Sequence, residues 1–164
     1  MKKMKKILSL FLIILLSFSL VACSSMDTTL EDEIQDTKEN VDEDLKVQID
    51  EDGYYISKED VSLYIHIYNK LPKNYITKKE ARDLGWESRE GNLWDVTDKN
   101  SIGGDKFGNR EGKLPEKEGR QYYECDINYE GGHRGAERLV YSNDGLIYYT
   151  EDHYDSFTLL YGDE

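Results

Sequence analysis

"ERLVYSNDGLIYYT", residues 137–150, reads as strand, turn, strand. Branched and aromatic side chains fill 137–142 and 146–150, and Asn143-Asp144-Gly145 between them tolerates the left-handed backbone of a tight hairpin turn. Two stretches of the same character flank it, "RQYYECDI" at 120–127 and "FTLLY" at 157–161. Strands that follow one another through short connections pair antiparallel.

Upstream the apolar period changes from 2 to about 3.6. Ser57 followed by Asp60 is a helix-start signal, and Val61, Tyr64, Ile65 and Tyr68 share one face, predicting a helix to about Lys70 that Leu71-Pro72 ends. Thr77 with Glu80 repeats the cap signal and Gly85 supplies an exit, so a short second helix covers 78–84, and a third lies near 93–97. Helices first and strands afterwards imply an α+β fold, with N-terminal helices packed on one face of a C-terminal antiparallel sheet.

Strand alternation then places chemistry. Within 120–127, Tyr123, Cys125 and Ile127 point one way, to the core, and Arg120, Tyr122, Glu124 and Asp126 the other. Arg138, Val140 and Ser142 share a face, so an antiparallel neighbour sets Arg138 beside Glu124 and Asp126. Arg134 lies just before that strand and His153 just after the next. A carboxylate, two arginines and a histidine on one face of a sheet suit acid/base work on an anion. Taken singly, Glu124 or Arg138 reads equally well as half of a cross-strand ion pair, and His153 as a surface histidine.

"GGDKFGNREGKLP" (103–115) is expected to be a loop rather than a helix or a buried strand, because glycine weakens both and Pro115 lacks a ladder donor. By default such a charged loop is a solvated turn; its glycines also allow backbone to approach a ligand closely.

The first residues concern destination. "MKKMKKILSLFLIILLSFSLVACSS" has a basic start, an apolar stretch from Ile7 to Leu20 and small residues around Cys23, which is the pattern of a secretory signal (1–22). The stretch falls short of the about 20 apolar residues of a membrane span. Leu20-Val21-Ala22-Cys23 resembles the lipobox of bacterial lipoproteins, in which Cys23 is lipidated; an ordinary cleavage site is the alternative. Residues 23–53 read as an acidic tether and 54–164 as the folded domain. Residues 1–53 hold 6 basic and 12 acidic side chains and residues 54–164 hold 15 and 22, charges of −6 and −7 that make up the net −13. Gln48, Asp50, Asp52, Gly53 and Glu59 fall at the spacing of a calcium-binding loop, but Gln48 is neutral where that loop needs aspartate, and no metal site is read there. With only Cys23 and Cys125 present, a lipidated Cys23 leaves no intramolecular disulfide.

From about Ser57 to Leu160 the chain resembles the barnase-like secreted, guanyl-preferring bacterial ribonucleases. The resemblance rests on "LPKNYITK" (71–78), "LGW" (84–86), "GNLWDV" (91–96), "SIGGDKFGNREGKLP" (101–115), "GR" (119–120), "DINY" (126–129), "RLVYS" (138–142), "LIY" (146–148) and "DHY" (152–154), in order along the domain. It implies the same α+β fold and cleavage of single-stranded RNA after guanosine without cofactor or metal. Glu124 then resembles the general base, His153 the general acid, and Lys78, Arg134 and Arg138 the phosphate-binding cations, with Tyr154 lining the site. Phe107, Gly108, Asn109 and Arg110 match the residues whose backbone surrounds the guanine, and Glu111 the carboxylate that accepts from its N–H donors. The expected partners are RNA, a barstar-like protein inhibitor and, through Cys23, a membrane surface; the expected form is an exported monomer, lipid-anchored or released.

Departures from the family are Gly108 for a serine, Glu90 for a lysine, His133 for an aromatic residue and Gly145 for a tryptophan expected near the His153 end. Asp126 is read as pairing with Arg134 or Arg138, Asp105 and Arg120 as holding loops, His66 as a surface residue and Cys125 as packing. Two other functions use the same residues: a non-catalytic surface module binding RNA or an inhibitor, and a toxin directed at neighbouring cells.

Overall fold

The computed structural model describes residues 49–163; Cys23, the signal segment and most of the acidic tether lie outside the described residues. The elements are α1 (Lys58–Tyr68), β1 (Tyr75–Ile76), α2 (Lys78–Asp83), α3 (Leu93–Val96), β2 (Ser101–Phe107), β3 (Tyr122–Asp126), β4 (Arg138–Ser142), β5 (Ile147–Thr150) and β6 (Thr158–Tyr161). The six strands lie side by side in sequence order; β1 pairs parallel to β2 and every other pair is antiparallel. The fold is α+β with helices first, as the sequence implies. None of the described helices is long and apolar enough to cross a membrane.

Local chemistry sets the helix ends. The Ser57 side chain accepts from the Asp60 backbone N–H, and Thr77 and Glu80 form a reciprocal capping box at the start of α2. Asn69 takes a left-handed conformation (φ 52°) and returns its N–H to the Ile65 carbonyl, which stops α1 at Tyr68, two residues short of expectation. Packing begins ahead of residue 54: Ile49 is buried, its carbonyl accepts from the Tyr68 hydroxyl, and the Glu51 carbonyl accepts from Tyr64.

Val61 and Ile65 of α1 pack on Cys125, Ile127, Leu139 and Ile147. Ala81, Trp86, Leu93, Ile102 and Tyr129 form a second cluster under α2 and α3. The opposite face of the sheet is not left to solvent. Tyr122, Val140 and Tyr148 are buried there with Leu114 and Leu146, covered by Phe107, Tyr154 and Phe157. Glu124 and Asp126, which alternation assigns to that second face, are themselves buried, the first under Tyr154 and the second between Arg134 and Arg138.

The sequence expectation for 103–115 needs correction: Ser101–Phe107 is a strand, its first residues buried between β1 and β3. Glycine is required there. A Cβ on Gly103 would lie 2.6 Å from Cys125 Cβ and 2.7 Å from the Tyr75 ring, so only a residue without a side chain lets β2 pass between them. Gly104, at φ +88°, is the extra residue of a β-bulge between Gly103 and Asp105. Beyond the bulge, Asp105 stands opposite Glu124 and Phe107 opposite Tyr122. The loop proper begins at Gly108. Gly145 is also relocated: it lines a groove with His66 and Asn69 of the α1 end, whereas His153 lines a different one.

Gly103→Ala is expected to lower unfolding stability by about 1–3 kcal/mol, the range of overpacked interiors. Gly135→Ala, with no atom within 4 Å of the added Cβ and no positive φ, should stay within about 0.5 kcal/mol of wild type. Urea denaturation of the two variants checks the contrast.

Candidate active site

Glu124 stands in the middle of β3 with only 7% of its surface exposed. Its Oε1 accepts a short hydrogen bond from Lys78 Nζ, and its Oε2 accepts from the Tyr154 hydroxyl at 2.6 Å. Burial alone would raise the carboxyl pKa, but the hydrogen bonds from Lys78 and Tyr154, with the charges of Lys78 and Arg134, outweigh it and hold Glu124 below the ordinary glutamate value. The same contact, together with burial, pushes the Tyr154 phenol well above its ordinary range, so Tyr154 stays a donor.

Lys78 reaches Glu124 from the first turn of α2. The capping box fixes that turn, and the Lys78 backbone N–H donates to Asp105 Oδ2 at 2.8 Å. Asp105, read from sequence as a loop-holding residue, therefore ties α2 to the strand beyond the bulge.

The arginines are organised by one carboxylate. Arg134 Nε and Nη2 donate to Asp126 at 2.5 and 2.6 Å in a two-pronged bond, and its guanidinium lies 6.0 Å from the Trp86 ring centroid. Arg138, cross-strand partner of Asp126, places Nε 2.7 Å from Asp126 Oδ1 as a close ion pair whose N–H is not aligned for a hydrogen bond. Its Nη1 donates to the Gly135 and Glu137 carbonyls at 2.8 and 2.7 Å. Burial lowers the Arg134 pKa and Asp126 more than restores it, so the guanidinium stays charged. Three cations (Lys78, Arg134, Arg138) against two carboxylates (Glu124, Asp126) leave this cluster one positive charge, within a chain of net charge −13.

His153 is exposed at the rim, its ring centroid 4.7 Å from that of Tyr154. Both residues have positive φ, 57° and 75°, a conformation that costs a non-glycine residue on the order of 1–3 kcal/mol and persists only where neighbours impose it. The neighbours here are polar. Thr150 Oγ1 accepts from the Tyr154 backbone N–H at 3.0 Å, and Asp152 accepts from the backbone N–H groups of Asp155 and Ser156 and from the Ser156 hydroxyl. Those Ser156 bonds hold the Asp152 carboxyl well below its usual range.

Beside this loop runs a groove of about 600 Å³ lined by Phe107 to Glu111, Lys113, His153, Tyr154 and Phe157 among others. Phe107 packs on Tyr154 with ring centroids 5.2 Å apart. Asn109 (φ 41°) clasps the loop shut: its side chain accepts from the Leu114 N–H at 3.0 Å and donates to the Leu114 carbonyl at 2.9 Å. Its side-chain amide is spent on loop shape. The Glu111 side chain is 73% exposed.

The ribonuclease family profile matches residues 58–161. The chain belongs to the ribonuclease family. A ribonuclease of Bacillus intermedius is 54% identical over 102 residues, which are 62% of this chain and 63% of that protein, so the match spans less than two thirds of the relative. A ribonuclease of Heyndrickxia coagulans is also 54% identical over 102 residues, 94% of its length. Guanyl-specific ribonuclease St of Saccharopolyspora erythraea is 46% identical over 57 residues, covering 34% of this chain and 56% of its own.

In this ribonuclease-family chain, Glu124 joins Lys78 and Tyr154, Asp126 two positions along β3 joins Arg134 and Arg138, and Phe107, Gly108, Asn109, Arg110, Glu111 and His153 border the adjoining groove. The choice between Arg134 and Arg138 as partner of Asp126 is resolved as both. Lys113, Thr150, Asp152 and Phe157 also shape the site and carry no signal of their own in the sequence. Thr150 and Asp152 bond residues two to four positions away and Lys113 pairs with Glu111 two positions away, whereas the Lys113 bond to Tyr154 and the packing of Phe157 on Phe107 cross between distant segments.

Removing one partner of a buried ion pair leaves the others desolvated and uncompensated, at about 3–5 kcal/mol. Asp126→Ala strands two guanidinium groups and is expected to lower stability by that amount or to prevent folding; chemical denaturation, or soluble yield where the variant does not fold, gives the measure.

Proposed function

We propose that the protein is an endoribonuclease that cleaves single-stranded RNA after guanosine by transphosphorylation through a 2′,3′-cyclic phosphate. The observation that carries this is the Glu124 carboxylate, buried yet held ionised by Lys78 and Tyr154, with His153 beside Tyr154 at the groove. Family membership and the relatives, named as ribonucleases, support the reaction class, and the guanyl-specific relative supports the base preference.

Glu124, as general base, takes the proton of the 2′-hydroxyl, whose oxygen attacks phosphorus. His153, as general acid, protonates the departing 5′-oxygen, and the pair with roles exchanged admits water to the cyclic phosphate. Lys78, Arg134 and Arg138 stabilise the charge that builds on the phosphoryl oxygens, in a site where burial weakens water's competition. Phe107 to Arg110 present backbone to the acceptor edge of guanine, and Glu111 accepts from its N–H donors. The cluster's positive charge attracts the substrate locally against the repulsion of the whole chain. With Cys23 lipidated, the enzyme works outside the cell at a membrane surface on an acidic tether, as a monomer open to a protein inhibitor of barstar type.

Glu124→Ala and His153→Ala should each lower turnover of a defined RNA by about 10²–10⁴-fold, the contribution of a positioned acid or base. Wild type should keep full activity in chelator and end its first products in cyclic phosphate; no cleavage by wild type would point to non-catalytic binding, and unchanged activity in both variants would remove Glu124 and His153 from the acid/base roles. Glu111→Ala should reduce cleavage after guanosine more than cleavage after other bases.

Because the Glu124 pKa is lowered in the folded protein, the base stays ionised as pH falls below the ordinary glutamate value of 4.5. In Lys78→Ala, the hydrogen bond and charge of Lys78 no longer offset burial and that pKa rises relative to wild type, so the acidic limb of the kcat/KM profile should move to higher pH. A limb that stays in place would separate Lys78 from the ionisation of the base.

A further inference from the structure

Lys113 has no part in the mechanism above, yet its ammonium touches both walls of the groove. Nζ lies 2.8 Å from Glu111 Oε2, donates to the Tyr154 backbone carbonyl at 2.9 Å and stands 3.6 Å from Asp155 Oδ1. The first partner is the carboxylate assigned to the base. The other two belong to the residues that follow His153.

The Tyr154 carbonyl is a telling place to hold. It terminates the pair of positive-φ residues, His153 and Tyr154, whose conformation depends on external bonds. Thr150 and Asp152 restrain that turn from the β5 side; Lys113 restrains it from the base loop. A chain of polar contacts thus runs from Glu111 through Lys113 to the Tyr154–Asp155 peptide, one residue beyond the general acid.

We propose that Lys113 is a positioning residue that couples recognition of guanine to the placement of His153. The proposal rests on the roles given above to Glu111 and His153. In the free protein the Glu111 carboxylate is exposed, and an exposed ion pair is weak because water competes for both charges. Guanine offers two adjacent N–H donors that fix the carboxylate and exclude water from it, which strengthens its pull on Lys113. The fixed ammonium holds the Tyr154 carbonyl, and with it the backbone of His153. Adenine presents an acceptor in place of the ring N–H, leaves Glu111 mobile and leaves the coupling unmade. Base discrimination is then expressed in kcat as well as in KM, because part of the binding interaction is realised as alignment of the acid.

The test compares wild type, Lys113→Met and Lys113→Arg on guanosine- and adenosine-containing dinucleotides in steady state. Lys113→Met should lower kcat on the guanosine substrate roughly tenfold, the scale of one charge-assisted hydrogen bond, and change KM by less than about threefold. On the adenosine substrate the kcat loss should be smaller, about threefold, because only the restraint already present in the free protein is removed there, and Lys113→Arg should recover most of the guanosine kcat. Equal losses on both substrates would overturn the coupling. A wild type without guanosine preference would overturn the functional reading on which it rests. A measurement on wild type alone covers the case in which Lys113→Met does not fold. By NMR, free guanosine, which carries no phosphate to touch His153, should shift the backbone amide of Asp155, and adenosine should not. Equal shifts with both nucleosides, or none with guanosine, would also overturn it.

Discussion

One carboxylate, Asp126, faces two guanidinium groups in a place where water does not reach, with 1% of the residue exposed. Such a group is tolerable only when its charge is matched and its lone pairs are engaged, and Arg134 and Arg138 supply both. Arg138 is also its cross-strand neighbour, so the ion pair and the register of β3 on β4 are the same fact. Side chains alternate along a strand with period 2, and a slip by one residue would send Glu124 into the core under α1 and bring Cys125 to the site. The placement of Glu124, of the Tyr154 hydroxyl that meets it and of the cations around it follows from that register.

Charge is handled locally. A chain at −13 is a poor long-range attractor of a polyanion, and the site compensates by keeping three cations on two buried carboxylates rather than by a basic surface. Burial makes this effective: with little water to screen them, Lys78 and Tyr154 govern whether Glu124 is ionised. The acids elsewhere can then serve solubility without silencing the site, since exposed charges beyond about 10 Å are largely screened at 0.1 M salt.

The two walls of the groove are built differently. The Phe107 side is stiffened from below, by the bulge at Gly104 that turns Asp105 and Phe107 onto the site face and by the Asn109–Leu114 clasp. The His153 side holds two residues in left-handed backbone, a conformation maintained by bonds to Thr150, Asp152 and Lys113. His153 therefore sits on a turn whose backbone conformation depends on contacts from outside it.

Where the cause is local, the sequence by itself determined the outcome. The caps at Ser57 and Thr77 are contacts between residues three apart, and the hairpin at 143–145 is set by its own turn residues, so both were legible. Alternation placed Glu124 with Asp126 on one face of their strand because period 2 needs no knowledge of the partner strand, and an antiparallel neighbour then brought Arg138 beside them. The motif order carried the family, and with it the residues of the groove. Strand β2 was not legible, since glycines argue against a strand until one knows that Cys125 and Tyr75 leave room for nothing larger. Burial of the second sheet face, the sharing of Asp126 by two arginines, the positive φ at His153 and Tyr154 and the reach of Lys113 across the groove were decided only by tertiary structure. Each depends on segments far apart in the chain meeting at hydrogen-bond distance, and nothing in the identity of one segment encodes the position of the other.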